Sequence, residues 1–418
     1  MKKKLVMFFA LTLSLLLLLT SCGAPAAIDL MADVHAAEMP AAPAEPEADY
    51  IDSVNQFSWK LFQETIKTDD NLLMSPTSVY MALSLALNGA DTTTRAAMLQ
   101  AMAANLTVEQ LNTANRDWKT LLMAASDKIK LSISNSIWYR NGFQVDPVFL
   151  QTNADFYSAA ARMLDFDSPN TIKIINDWVK TATNGKINEI IGGINPNDLM
   201  YLINAVYFKA DWQYKFNKDQ SSPGIFTSSD GRNNEVTYMG LIGDLSLLSS
   251  EYGEGVLLPY VDDRFALVAI LPDGKSARET VQAMTPDSLN EMIESKQIVK
   301  MNLKLPRFET RSTIPLSAAL EAMGMAEMFS QADFSLMVKD RSKGLSISGT
   351  IQKSYFKIDE TGTEAAAVTA FTVASSLQVD DSHKLKFDRP FIYGIIDTVT
   401  GLPLFLGIMD NPNAVLEE

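Results

Sequence analysis

Between Ala365 and Val379 the chain runs fifteen residues without a charged side chain, and from Gly362 to Pro390 it has neither glycine nor proline in between. The residues that normally punctuate turns are missing from a stretch this long. Small side chains crowd its start, and β-branched ones are interspersed further on. Read with the strand period of two, Thr363, Ala365, Ala367, Thr369, Phe371 and Val373 share one face. Glu364, Ala366, Val368, Ala370 and Thr372 share the other, so the only charge falls where a half-buried strand turns outward. By itself the pattern fits an ordinary core strand, an Ala-rich helix, or a strand with a special duty.

The rest of the chain supplies the frame. Ser75-Pro76-Thr77-Ser78 predicts a helix start, with Ser75 as N-cap and Pro76 in the first turn, and Asn88-Gly89 predicts its stop. Val79, Met81, Ala82, Leu83, Leu85 and Ala86 leave almost no polar face, so this helix is expected to be buried. Leu131, Ile133 and Ile137 alternate with Ser132, Ser134 and Ser136, and Val299, Met301, Leu303 and Leu305 alternate with Lys300, Asn302 and Lys304. Both read as strands with one buried face. Tyr201–Phe208 and Phe265–Leu271 are continuous apolar runs, suited to strands covered on both sides, and Asn204 in the first must find partners there. Phe391–Ile396 and Leu404–Ile408 are short apolar segments near the end. Helices early and strands in blocks later imply an α+β fold.

The amino terminus predicts export. Lys2, Lys3 and Lys4 precede an apolar run from Leu5 to Leu19, then Thr20-Ser21-Cys22. That is a secretory signal, too short to span a bilayer comfortably. Its ending resembles the lipobox of bacterial lipoproteins, which implies a signal at 1–21 and lipidation of Cys22; an ordinary signal peptide, giving a secreted protein, is the alternative. Cys22 is the only cysteine, so no internal disulfide is possible and no thiol nucleophile remains in the folded part. Residues 22–49 are Ala-, Pro- and Glu-rich without periodicity and are expected to be a flexible stalk. From Tyr50 onward no linker or repeat interrupts a globular composition. The formal charge of −15, or −18 without Lys2, Lys3 and Lys4, argues against nucleic-acid or anionic-lipid binding.

Catalytic chemistry is hard to place. The two histidines are His35, in the stalk, and His383, in a polar stretch, and no Gly-x-Ser-x-Gly elbow accompanies either. No His/Cys cluster suggests a metal, no Gly-rich loop a phosphate cofactor, and no Lys/Arg cluster stands out. An enzyme is not expected, and no cofactor or metal is expected.

In sequence context the uncharged run takes on a meaning. Glu360-x-Gly362-Thr363-Glu364-Ala365-Ala366-Ala367 resembles the hinge of an inhibitory serpin reactive loop, and Leu385-Lys-Phe-Asp-Arg-Pro-Phe-Ile-Tyr-Gly-Ile395 resembles the family's carboxyl-terminal signature. Asn71-Leu-Leu-Met-Ser-Pro-Thr-Ser78 with Asn88-Gly89-Ala90 is similar to its buried second helix. Asn176-x-Trp178-Val179 with Thr183-x-Gly185-Lys186-Ile187, and Asn204-Ala-Val-Tyr-Phe-Lys-Ala-Asp-Trp212, match in order. The resemblance extends from about Tyr50 to Pro412.

What the resemblance implies is a single domain over 50–413, with about nine helices, a five-stranded main sheet, two further sheets and a mobile reactive loop at about 360–384. It implies an irreversible suicide-substrate inhibitor, whose cleaved loop enters the main sheet while the protease is held as an acyl-enzyme; loop insertion of this kind is a known form of strand addition. Backbone hydrogen bonds at roughly 1 kcal/mol net each give such an insertion a driving force on the order of 10 kcal/mol or more. Ser75, Ser78 and Asn204 match the polar cluster where the sheet parts, and Gln352 stands where the family usually has His. Arg307, Glu360 and Trp212 match the region where the loop enters, with a purely stabilising role as the alternative. Counting Glu360 as the first residue, the seventeenth-position rule puts the reactive bond at Ser376-Leu377, within a window from Val373 to Val379 because the loop before Phe387 is about three residues longer than is usual for the family. Small residues there suit elastase- or subtilisin-like serine proteases, Leu377 a chymotrypsin-like or a cysteine protease, and the absence of Arg and Lys disfavours trypsin-like ones. The expected protein is monomeric and lipid-anchored at the cell surface. A non-inhibitory serpin acting as a binding or chaperone-like protein is the alternative.

Overall fold

The computed structural model describes residues 27–40, 42–68, 70–102, 105–124, 128–363 and 382–414. Cys22, Glu364, Ala365, Ala366, Ala367, Ser376 and Leu377, singled out above, lie outside the described residues. The first half contains β1 (Ile28–Asp29), α1 (Ala48–Thr65), β2 (Leu72–Met74), α2 (Pro76–Leu87), α3 (Thr92–Ala101) and α4 (Val108–Met123). It continues with β3 (Ile129–Arg140), α5 (Pro147–Tyr157), β4 (Ala160–Leu164), α6 (Thr171–Ala182) and β5 (Met200–Asp211). Then come β6 (Ser222–Thr227), β7 (Asn233–Ser250), β8 (Gly253–Pro259), β9 (Phe265–Pro272), α7 (Ala277–Ala283), α8 (Ser288–Glu294), β10 (Gln297–Pro306) and β11 (Phe308–Pro315). The chain closes with α9 (Ser317–Leu320), α10 (Glu327–Ser330), β12 (Gly349–Asp359), β13 (Gly362–Thr363), β14 (His383–Lys386), β15 (Phe391–Asp397) and β16 (Pro403–Met409).

The α+β expectation holds. Five long strands, in the order β4-β3-β5-β12-β11, form the main sheet, with two-residue β1 on its edge and two-residue β13 inside it. The remaining strands form one hydrogen-bonded network rather than two separate sheets, because β7 is long enough to serve both parts. Its 18 residues pair in turn with β6, then β10, then β8.

Alternate residues of β5 explain its uninterrupted apolar sequence. Tyr201, Ile203, Ala205 and Tyr207 pack with Ile175 and Val179 of α6 and with Ile187 and Ile191 just beyond it. Met200, Leu202, Val206 and Phe208 point into the larger core, which includes α2. All 12 residues of α2 are buried, as its sequence requires. Helix α4 is closed by a capping box, Thr107 with Gln110, which satisfies two backbone donors at its start.

The described residues between 27 and 47 are docked on the body, in place of the flexible stalk expected over 22–49. Ile28 and Asp29 pair antiparallel with Met163 and Arg162 of β4, and Leu30 donates to the Ala161 carbonyl at 3.0 Å. Leu30, Met31 and Val34 rest on the core. Gln151 of α5 donates to the His35 carbonyl at 2.8 Å, and Arg264 grips Glu45 with two hydrogen bonds of 2.8 and 3.0 Å. The physical reason is the edge of β4, whose unpaired backbone groups accept a further strand. An Ala/Pro/Glu-rich composition carries no sign of such an edge.

Candidate functional site

The functional geometry lies along the seam between β5 and β12. These strands run parallel and pair directly from Tyr201 with Gly349 to Tyr207 with Tyr355. Beyond that they part. The chain leaves β12, turns at Glu360-Thr361, and comes back between the two strands as β13: Gly362 and Thr363 pair with Asp211 and Ala210 of β5 and with Asp359 and Ile358 of β12. Gly362 makes this passage possible. Its φ is +154°, and a Cβ there would stand 2.2 Å from the Ala210 carbonyl oxygen.

Aromatic and polar groups fix the open end. Thr363 is fully buried, with its hydroxyl 2.8 Å from that of Tyr260. Burial pushes the Tyr260 hydroxyl pKa up, and the Thr363 contact offsets part of that. The Tyr260 ring stacks on Trp212 at a centroid distance of 4.6 Å. Trp212 in turn holds the turn, donating from its indole to the Asp359 carbonyl at 2.9 Å and from its backbone to the Thr361 carbonyl at 3.1 Å. Glu360 is buried and paired with Arg307, and Ser221 donates to the same carboxylate oxygen at 2.7 Å. Burial opposes its charge, yet the hydrogen bonds from Arg307 and Ser221 prevail and hold its carboxyl below the ordinary value of 4.5.

The paired stretch is locked differently. Asn135, Asn204 and Gln352 lie in register across β3, β5 and β12, beneath the start of α2. The Gln352 amide nitrogen is 2.8 Å from the Ser75 carbonyl, 2.8 Å from Asn204 Oδ1 and 3.1 Å from Ser78 Oγ. Gln352 Oε1 accepts from the Ser75 backbone N–H at 2.9 Å, Ser78 donates to Asn204 Oδ1 at 2.6 Å, and Asn204 donates to Asn135 Oδ1 at 2.7 Å. Ser75, expected as a side-chain cap, makes no such cap bond. Its backbone N–H and carbonyl both serve Gln352 instead. All five residues are buried, which makes every one of these bonds costly to lose.

A parted main sheet, a hinge already seated in the gap and a polar lock beneath it are joined here by sequence similarity. The family model Serpin (serine protease inhibitor) matches residues 52–412. The chain belongs to the serpin family. An uncharacterized serpin-like protein of Thermococcus kodakarensis is 29% identical to this serpin, covering 88% of its chain and 86% of the relative. The native-state crystal structure of the thermophilic serpin tengpin superposes with a TM-score of 0.86 at 34% identity, covering 92% of this chain and 99% of that one. The latent state of tengpin superposes less well, at 0.77, with 34% identity and 88% and 99% coverage. Members of the family are in general inhibitors of serine proteases rather than enzymes.

The structure therefore brings together Ser75, Ser78, Asn204 and Gln352 at one point, and Trp212, Arg307, Glu360, Gly362 and Thr363 at another. Three contributors were missed from sequence. Asn135 was visible in principle, as the one polar residue where the β3 alternation calls for an apolar one. Tyr260 and Ser221 carry no local signal, since their roles depend on strands far apart in the chain. His383 sits on the edge strand β14, where its Nε2 is 3.2 Å from a Glu254 carboxylate oxygen.

Proposed function

We propose that this serpin is an irreversible trap for a serine protease, cleaved in the loop that follows Thr363 and locked by insertion of that loop between β5 and β12. The observation that carries the reading is β13. Two hinge residues already occupy the gap, hydrogen-bonded to both neighbours, and after Glu364 the sequence runs uncharged from Ala365 to Val379, with small residues at its start. Extending β13 requires that the direct β5–β12 backbone bonds be exchanged for bonds to the new strand and, further along, that the Gln352–Asn204 bond part. The small residues from Val373 to Ser376 favour elastase- or subtilisin-like targets, with Ser376-Leu377 as the reactive bond. The lipobox-like sequence ending at Cys22 supports export and a lipid anchor at the cell surface.

The test is to mix the protein with elastase and with subtilisin and run denaturing electrophoresis. A band at the summed mass that survives boiling is expected, and mass spectrometry of the released peptide gives the bond. The cleaved protein should also melt far above the intact one. Clipping of the loop by both enzymes, with no covalent band and no rise in melting temperature, would overturn the proposal. Replacing Cys22 with Ser should abolish incorporation of labelled fatty acid in a bacterial host; unchanged labelling would remove the anchor.

A further inference from the structure

A second site lies apart from the hinge, where the segment after α6 crosses the front of β12. A cavity of about 440 Å³ opens there between the end of α1, that crossing segment, β11 and β12. Four cations reach it from four separate stretches of chain: Lys67, Lys186, Arg311 and Lys353. One carboxylate, Glu64, shares the lining, and it already pairs with Lys67 at 3.5 Å. In a chain of formal charge −15 this local excess of positive charge runs against the overall balance.

The cations are held in place. The Lys186 ammonium and the Arg311 guanidinium lie 5.5 and 5.6 Å from the centre of the Tyr355 ring, and buried Lys353 donates to the Glu189 carbonyl. Arg311 also pairs with Glu309 at 3.1 Å. The field at Lys186 is positive on balance: burial first, then Lys357, Lys209 and Arg311, lower its pKa, with Glu309 opposing. Converging like charges oppose one another unless an anion joins them.

We propose that this cavity binds a small multivalent oxyanion, one carrying two or more phosphate or carboxylate groups. Arg311 offers the planar fork that pairs with either group, and the lysines serve as point charges around it. The cations come from separate walls of a half-open cleft rather than along a line, which suits a compact ligand over a long polyanion. Its volume is within the usual range for small-molecule sites.

Binding also has a mechanical consequence, which rests on the insertion mechanism proposed above. Lys186 and Ile187 belong to a segment that packs across both β5 and β12, whereas Arg311 and Lys353 belong to β11 and β12 themselves. An anion that ties Lys186 to Arg311 fastens that crossing segment, which also packs on β5, to the β12 side of the seam that must separate. It acts as a brake on insertion, so more serpin molecules are consumed as substrate for each protease trapped.

The test is calorimetric titration of the intact protein with pyrophosphate and, separately, with citrate at low ionic strength. One saturable site is expected, for one anion or both, and the anion preferred identifies phosphate or carboxylate as the recognised group. Lys186→Gln and Arg311→Gln are both partly exposed positions and should each raise Kd about tenfold or more. Lys180→Gln, exposed on α6 outside the cavity, should leave it unchanged. No saturable binding of either anion, or a Kd indifferent to Lys186 and Arg311, would overturn the site. The bound anion should raise the number of serpin molecules consumed per protease trapped, and Arg311→Gln should abolish that effect. Binding without any such change overturns the brake and leaves the site standing. Binding by a protein that traps no protease overturns the function proposed above instead.

Discussion

The two ends of the β5–β12 seam are built on opposite principles. At the closed stretch, Gln352 and Asn204 sit in register within a continuous ladder and share a buried hydrogen-bond network with Ser75, Ser78 and Asn135. At the open end the ladder is interrupted, and apolar stacking of Trp212 on Tyr260 backs a two-residue wedge. One end resists separation through many mutually dependent polar bonds. The other has already separated and is kept so by Gly362, which alone can pass so close to Ala210. A strand that must open in one direction only benefits from this asymmetry, because separation begins at the wedge and proceeds towards the lock.

The strongest way to break the comparison is to charge the wedge. Thr363→Arg places a cation at a fully buried position, which costs several kcal/mol unless the strand withdraws. Trapping should be lost and the loop should be cut as an ordinary substrate, read as disappearance of the covalent band. Full inhibition by that variant would remove the wedge from the mechanism.

Next in size is the lock. Gln352→Leu removes the partner of the Ser75 N–H and leaves the Ser75 carbonyl and Asn204 Oδ1 one bond poorer. A loss of about 2–4 kcal/mol in urea unfolding is expected from stranding buried polar groups. The variant should also convert spontaneously to a more heat-stable form. An unchanged midpoint would mean that the closed end is held by its ladder alone.

Arg307→Met probes the rim, where the arginine side chain is 45% exposed, and should cost only about 1 kcal/mol by chemical unfolding. The pH dependence of Glu360 sharpens the same point. Its carboxyl is held below 4.5 in the folded state, so the native protein binds fewer protons there than the unfolded chain. Its contribution is complete above 4.5 and is lost as the pH falls below that value through the folded pKa. Glu360→Gln should therefore be less stable than the parent at neutral pH and converge with it in acid, measured by urea midpoints across the range. A constant gap between the two would assign the difference to packing rather than charge.

Gln352, an amide where the family usually has an imidazole, should leave the lock itself insensitive between pH 5 and 8. Gln352→His should introduce a sensitivity. A buried imidazole has its pKa lowered by desolvation, so stability should fall as the pH drops through about 6.5. Identical midpoints at pH 5 and 8 in that variant would mean that the imidazole stays solvated.

Much of this frame was legible in the sequence, and the reason is local. The apolar run of β5, the all-buried α2 and the alternating β10 each declare their surroundings through a period of neighbouring residues. Gln352 and Asn204 could be matched because their motifs are contiguous. The unread parts depend on distant pairings. β7 gives no sign that one strand pairs in turn with β6, β10 and β8, and residues 28–34 give none that β4 has an edge for them. Lys67, Lys186, Arg311 and Lys353 are spread over nearly three hundred residues, so their convergence is a property of the fold and not of any segment.

The docking of β1 would also set the geometry of the attachment proposed at Cys22. Five residues separate Cys22 from Ile28, six steps of chain and a leash of roughly 20 Å at most if Cys22 carries the proposed lipid. β1 lies level, through β4 and β3, with Met200 and Tyr201, while the wedge sits at Ala210 and Asp211, about 33 Å away along the strand. The wedge and β1 thus lie towards opposite ends of the main sheet. A protease carried along the sheet by the inserting loop would travel towards the bilayer and compete with it for space. Capture at the surface should then peel β1 from β4, and faster hydrogen exchange at the Leu30 amide after trapping would register the release.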